Sequence, residues 1–294
     1  MSNLILRSYA KLNLHLEVLL KRPDHYHNIK TLFERISLSD SILIKPRQDT
    51  RIRILCSSPR VPKGRDNLCY RSAKLLQEEF HIESGLDIRI TKNIPVGAGL
   101  GGGSSNAASV LLGLNRLWKL GLSQERLAGL ARQIGCDIPF FIYETPFALG
   151  EGRGDLIKPQ GALKHLLLWH ILVVPRLHVS TPLIYKKWDI CSRKAGLTKT
   201  QLNVNILLSA LKKKKSGPFN RPLGNSLEPV TLRLYPEVSR VKEQLAAGGA
   251  RSILMSGSGP AVFGIVSSRK EAVFLGSKLK KKNRSWRVFV TRTA

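Results

Sequence analysis

Between Val96 and Val110 the chain reads V-G-A-G-L-G-G-G-S-S-N-A-A-S-V, with five glycines in the seven positions Gly97 to Gly103 and helix-forming sequence directly behind them. Glycine lets a backbone pass close to a bulky group and adopt conformations closed to other residues. A helix start adds unpaired N–H donors and about half a unit of positive charge. Ser104 and Ser105 bring hydroxyls able to bind phosphate oxygens or a metal ion. The segment therefore reads as a triphosphate cradle, weighed against a plain glycine-rich hairpin followed by a capped helix. Better-known phosphate loops do not fit. Gly97, Gly99 and Gly102 satisfy G-x-G-x-x-G, but a dinucleotide site needs an acidic residue roughly twenty positions on, where this chain has W-K-L-G-L-S-Q. No V-A-I-K strand follows, as in protein kinases, and no G-K-[ST] closes the loop, as in Walker sites.

The charge balance limits the partners. Lys plus Arg number 48 against 20 Asp plus Glu, a formal +28, which invites an anionic partner such as nucleic acid, a membrane surface or a phosphorylated metabolite. The basic residues are spread over the whole length, and only Lys212 to Lys215 form a tight run, read as a solvated loop. Aromatic content is 6%, without basic-aromatic interleaving, so the stacking platforms of a single-strand binder are missing. Cys56, Cys69, Cys136 and Cys191 form no C-x-x-C pair and have no histidines clustered near them, which points to free thiols in a reducing compartment. No apolar run reaches the roughly 18 residues of a membrane span. Leu166 to Val174, closed by Pro175, reads as a buried strand, and Arg7, Lys11 and Glu17 interrupt any signal-peptide core. A cytoplasmic protein with no membrane or nucleic-acid partner is expected.

Alternation from Ala10 to Val18 predicts a strand with Lys11, Asn13 and His15 on the face opposite the core. Further strands are expected at Ser41 to Lys45, Arg51 to Leu55 and Leu86 to Thr91, with a helix over Asn67 to Phe80. After the glycines, helical spacing runs to a stop at Gly121. A second helix starts at a Ser123 N-cap, stops at Gly135 and delivers Asp137. The linker-like G-E-G-R-G-D at Gly150 to Asp155 divides the chain into residues 1–155 and 156–294. Lys212 to Asn225 reads as an exposed loop. A second glycine stretch, M-S-G-S-G-P-A-V-F-G from Met255 to Gly264, reads alone as a tight turn between strands, and beside the cradle as a wall closing over a nucleotide.

Three stretches, S-Y-A-K-L-N-L-H-L at the N-terminus, P-V-G-A-G-L-G-G-G-S-S-N-A-A and S-G-S-G-P, stand in the order and at the distances of the three motifs of the GHMP small-molecule kinases, which this chain resembles from about Arg7 to Gly264. R-P-D-H-Y-H at Arg22 to His27 and I-G-C-D-I-P-F-F at Ile134 to Phe141 are similar to the branch of that family whose acceptor is a diphosphocytidyl sugar alcohol. The resemblance implies an α+β fold of two domains, an N-terminal α/β nucleotide-binding domain and a C-terminal split β-α-β, ferredoxin-like domain, with the active site in the cleft between them. It implies ATP as donor with Mg2+, and no role for nucleic acid.

Residue by residue, the resemblance puts catalysis on Lys11 and Asp137. The aspartate would accept the hydroxyl proton, and the lysine would hold the hydroxyl and stabilise charge. ATP falls to Pro95, Val96, Gly97, Ala98, Gly99, Leu100, Gly101, Gly102, Gly103, Ser104 and Ser105. Asn67 is an adenine contact or equally a helix N-cap. The acceptor falls to Asn13, Tyr26, His27, Thr181 and Tyr185, with the two tyrosines covering the base and the histidine meeting its polar edge. Ordinary core packing is the alternative for each tyrosine. Relatives read D-G-Y-H where this chain has D-H-Y-H, so His25 is strained if that glycine has positive φ.

Overall fold

The computed structural model describes residues 3–194, 203–213 and 223–294. Strands β1 (Leu4–Lys21) and β2 (His27–Arg47) form one long antiparallel hairpin, followed by β3 (Ile52–Cys56), α1 (Leu68–Glu79) and β4 (Gly85–Thr91). Next come α2 (Gly102–Leu117), α3 (Gln124–Arg132), α4 (Ile138–Ile142), β5 (Phe147–Glu151) and β6 (Leu156–Pro159). The C-terminal part runs β7 (Trp169–Val174), α5 (Thr181–Lys194), α6 (Val204–Lys212), β8 (Gly224–Asn225), α7 (Glu228–Leu234), α8 (Pro236–Ala247), β9 (Arg251–Met255), β10 (Val262–Val266), α9 (Arg269–Lys282) and β11 (Arg287–Arg292).

The first sheet has the order β3-β4-β2-β1-β8, with β5 joined to another stretch of β2 and β6 joined to β5. Its hairpin is longer than the alternation in sequence predicts. Register shifts at Tyr9/Ala10 and Asn13/His15 move the pattern from one face to the other, and residues 10–16 are buried on both faces. One face packs against α1 to α4 through Ile42, Ile44, Leu111 and Leu114. The other packs against the second sheet: Ala10, Leu12 and Leu14 share a core with Leu172, Leu254 and Phe263. Lys11, Asn13 and His15 therefore face protein rather than water.

The second sheet is antiparallel, in the order β11-β7-β10-β9. With α5 to α8 between β7 and β9, and α9 between β10 and β11, it is the split β-α-β arrangement with additional helices. One buried polar tie crosses between the sheets. The Glu34 carboxylate on β2 meets the His170 imidazole on β7 at 2.9 Å and accepts from the Thr293 hydroxyl at 2.6 Å.

Two readings of the sequence change here. Gly150 to Asp155 is the closed end of the β5–β6 hairpin, because Glu151 pairs with Leu156, and the chain leaves the first sheet only after Pro159. Of the expected loop Lys212 to Asn225, residues 214–222 lie outside the described residues. Its far end is no loop: Gly224 and Asn225 are buried and pair in parallel with His15 and Leu16.

Candidate active site

The glycine loop owes its shape to alternating backbone signs. Gly97, Gly99 and Gly101 have φ of 70°, 78° and 66°, values that cost an L side chain about 1–2 kcal/mol each. Gly101 is the N-cap of α2, and no side chain caps that helix. Its first N–H groups therefore stay available to an anion, the feature that separates a cradle from an ordinary capped helix. The loop borders a cavity of about 300 Å3 that also touches Lys92, Ser104 and Asn106.

The second glycine turn is built against the first. A Cβ on Gly99 would lie 2.2 Å from the Ser256 carbonyl oxygen. The Ser256 hydroxyl donates to the Gly99 carbonyl at 3.0 Å, and the Ala261 N–H donates to the Ala98 carbonyl at 3.2 Å. Asn225 secures the far side, its amide donating to the Met255 and Gly257 carbonyls at 2.8 and 2.7 Å.

Lys11 and Asp137 converge on the start of α2. The Lys11 N–H donates to the Leu100 carbonyl at 3.0 Å, tying β1 to the loop, and a Cβ on Gly101 would sit 2.9 Å from Lys11 Cγ. Lys11 is 4% exposed, so it is no solvated strand lysine. Its Nζ donates to Asn13 Oδ1 at 2.5 Å, lies 3.6 Å from Asp137 Oδ2 and stands 5.3 Å from the Phe33 ring centre. Asp137 precedes α4 but its side chain caps nothing, and 37% of that side chain is open to solvent. A buried ammonium and an accessible carboxylate thus share the mouth of an uncapped helix. That arrangement can hold a hydroxyl, take its proton and neutralise phosphate charge.

The remaining expected residues divide. Asn13 is fixed from three sides: by Lys11, by donating to Thr31 Oγ1 at 2.8 Å, and by its N–H, which donates to Ser256 Oγ at 3.3 Å. Thr181 begins α5, and its hydroxyl meets that of Ser258 at 2.7 Å, which places it beside the closing turn. His27 and Tyr185 stack with ring centres 5.3 Å apart. Packing, reinforced by the nearby Asp137 carboxylate and Cys136 thiol, pushes the Tyr185 phenol above its ordinary range. Tyr26 is 53% exposed with the Arg153 guanidinium 5.3 Å from its ring centre, which excludes core packing for it. His25 has φ 65°, the left-handed value expected of the glycine it replaces.

One expectation needs correction, and one of two alternatives finds support. The Ser105 hydroxyl does not face the cradle: helical rotation turns it inward onto Ser8 Oγ at 2.7 Å, and its N–H is taken by the Gly101 carbonyl. The Asn67 side chain caps α1, accepting from the Cys69 N–H at 2.8 Å while its amide donates to the Pro62 carbonyl at 2.6 Å. Both of its polar ends are thereby occupied, although the residue borders the cavity.

Sequence reasoning also missed a support. Buried Asp40 accepts from the Asn93 and Ile94 N–H groups at 2.7 and 2.9 Å, from Asn106 at 2.9 Å and from the Lys92 ammonium. It anchors the end of β4 and the first turn of α2 together. A lone aspartate in L-S-D-S carries no motif that would have announced it.

An uncapped helix behind a glycine loop, a lysine and an aspartate at its mouth, and a ferredoxin-like half closing the cleft define a GHMP-type small-molecule kinase. The family profiles agree: GHMP kinases N terminal domain matches residues 67–145 and GHMP kinases C terminal matches residues 207–285. The 4-diphosphocytidyl-2-C-methyl-D-erythritol kinase of Geobacillus sp. (strain WCH70) is 42% identical over 93% of this chain and 92% of its own. The enzyme of that name from Citrifermentans bemidjiense is 40% identical over the full length of both. A crystal structure of 4-(cytidine 5'-diphospho)-2C-methyl-D-erythritol kinase superposes with a TM-score of 0.81 at 34% identity, covering 99% of this chain and 100% of the other. The Methanococcus jannaschii mevalonate kinase, at 16% identity and TM-score 0.74, shares the fold. The chain belongs to the GHMP kinase family, and within it to the 4-diphosphocytidyl-2-C-methyl-D-erythritol kinases.

Proposed function

We propose that the protein transfers the γ-phosphoryl group of ATP to the 2-hydroxyl of 4-diphosphocytidyl-2-C-methyl-D-erythritol, a step of the non-mevalonate route to isoprenoid precursors. The observation that carries the chemistry is the Lys11–Asp137 pair, 3.6 Å apart beside the uncapped start of α2. The hydroxyl oxygen attacks the γ-phosphorus as its proton passes to the Asp137 carboxylate, the bond to the β-phosphate oxygen breaks, and ADP leaves. The Lys11 ammonium, aimed by Asn13, holds the hydroxyl and offsets charge on the transferring group.

The backbone from Pro95 to Ser104 holds the triphosphate, with Lys92 beside it. Mg2+ belongs to this reading, and it supplies neutralisation of phosphate oxygens. Among the described residues there is no cluster of three or more His, Cys, Asp or Glu side chains able to hold a metal. Such an ion would be carried mainly by phosphates and water, and the Ser104 hydroxyl, which borders the cavity, would be able to join them. Tyr26, His27 and Tyr185 take the cytidine end, and Thr181 the diphosphate. We divide the chain functionally near residue 160, where it passes between the sheets. A cytoplasmic setting is supported by the four free cysteines, and no helix among the described residues is long and apolar enough to cross a membrane.

Purified protein given ATP, Mg2+ and the diphosphocytidyl alcohol should release ADP in step with phosphorylated alcohol. Turnover confined to mevalonate, homoserine or a simple sugar would move the assignment to another branch of the family.

A further inference from the structure

Asp189, which no motif singles out, sits on α5 and reaches back to the first residue of β2. Its Oδ1 lies 2.6 Å from His27 Nε2, and its Oδ2 accepts from the Lys21 ammonium at 3.0 Å. The His27 side chain is 4% exposed, stacked on Tyr185 and edged by Trp188 with ring centres 5.6 Å apart. The ring is thus contacted from three sides.

A carboxylate only accepts hydrogen bonds, so the proton of a neutral His27 must sit on Nε2, leaving a lone pair on Nδ1. Burial works against the Asp189 charge, but the hydrogen bonds from Lys21 and His27 outweigh it and hold the carboxyl below its usual range, so it remains an acceptor at neutral pH. Nδ1 has no hydrogen-bond partner among the described residues, and it is absent from the buried polar atoms sealed away without one. A fixed, open acceptor beside two aromatic rings is suited to an amino group on the edge of a planar base.

We infer that Asp189 is a positioning residue that locks His27 into the Nε2–H tautomer, so that Nδ1 selects a pyrimidine bearing an exocyclic amino group over one bearing a carbonyl there. This rests on the proposed cytidylyl acceptor and explains how the site tells cytosine from uracil. With a carbonyl at that position two acceptors face each other, and a buried unsatisfied pair disfavours binding by tenfold or more, about the worth of one hydrogen bond. The charged groups set against His27 are Asp189 from α5 and, through it, Lys21 from β1; Tyr185 and Trp188 are neutral.

The test uses full-length protein labelled with 15N-histidine, as wild type and as Asp189→Ala, Asp189→Asn and Asp189→Glu, with His27→Gln identifying the His27 signals. Nitrogen shifts report the tautomer. Steady-state kinetics compare the diphosphocytidyl alcohol with its diphosphouridyl analogue. The expected result is an Nε2–H signature and cytidylyl preference in the wild type. Asp189→Ala and Asp189→Asn should mix the tautomers, raise KM for the cytidylyl substrate about tenfold with kcat within about threefold, and bring the two substrates close to parity. Asp189→Glu should restore part of the preference. If the wild type is active but Asp189→Ala keeps both its tautomer and its cytidylyl preference, the assignment to Asp189 is overturned while the kinase reading stands. A wild type inactive on the cytidylyl alcohol overturns both.

Discussion

Lys11 and Asp137 are unremarkable as residue types, and their neighbours make them a candidate site. A strand lysine is normally solvated. This one is enclosed by the glycine loop and the Phe33 ring and aimed by Asn13 toward an aspartate whose side chain caps no helix. His25 presents the opposite case, a residue that fits its position poorly. At φ 65° in the exposed Arg22 to Tyr26 turn it holds a conformation that favours glycine. His25→Gly should therefore stabilise the protein by about 1 kcal/mol, less whatever the more flexible unfolded chain takes back. A rise in melting temperature of about 2 °C is the expected reading. A fall would show that the imidazole makes a compensating contact. The meeting of Lys11 and Asp137 was foreshadowed in the sequence because family motifs surround both residues. Asp40 and Asp189 were not, since their partners lie 52 or more residues away in sequence and nothing local marks the pairing.

At the scale of elements, the cradle depends on two turns meeting back to back. Gly99 allows this, since a side chain there would strike the Ser256 carbonyl and would also have to hold a positive φ. Gly99→Ala should cost at least about 2 kcal/mol and raise KM for ATP, measured by denaturant unfolding and by steady-state kinetics. Near-wild-type stability would mean the turns can separate without consequence. The elements themselves were partly legible. Helices α1 and α3 declared themselves through N-caps and periodic leucines, and α2 through its leucine spacing alone; Ser123 caps α3 as its position suggests, its hydroxyl accepting from the Arg126 N–H. The full length of β1 and β2 did not, because bulges interrupt the period of two and because a strand buried on both faces loses its polar alternation. The five-residue α4 is too short to show a helical period, and Gly150 to Asp155 imitates a linker because a tight hairpin end uses the same residues.

Across the whole molecule, the cleft exists because two sheets share a core. Leu12 and Leu14 from the first sheet pack with Leu172 and Phe263 from the second, and the Glu34–His170 contact lies buried in the same seam. The N-terminal half supplies the cradle, Lys11 and Asp137 of the proposed site, while the C-terminal half supplies the closing turn, Thr181 and Tyr185, so neither half holds the whole of that proposed site. The most direct test of this account is phosphoryl transfer by Asp137→Asn, followed by 31P NMR with saturating ATP, Mg2+ and the diphosphocytidyl alcohol, with ATP affinity measured on the same protein. The account predicts a loss of about 100-fold or more in kcat with ATP affinity within about threefold of wild type. Turnover near the wild-type rate, or a loss that merely follows a loss of ATP binding, would contradict it.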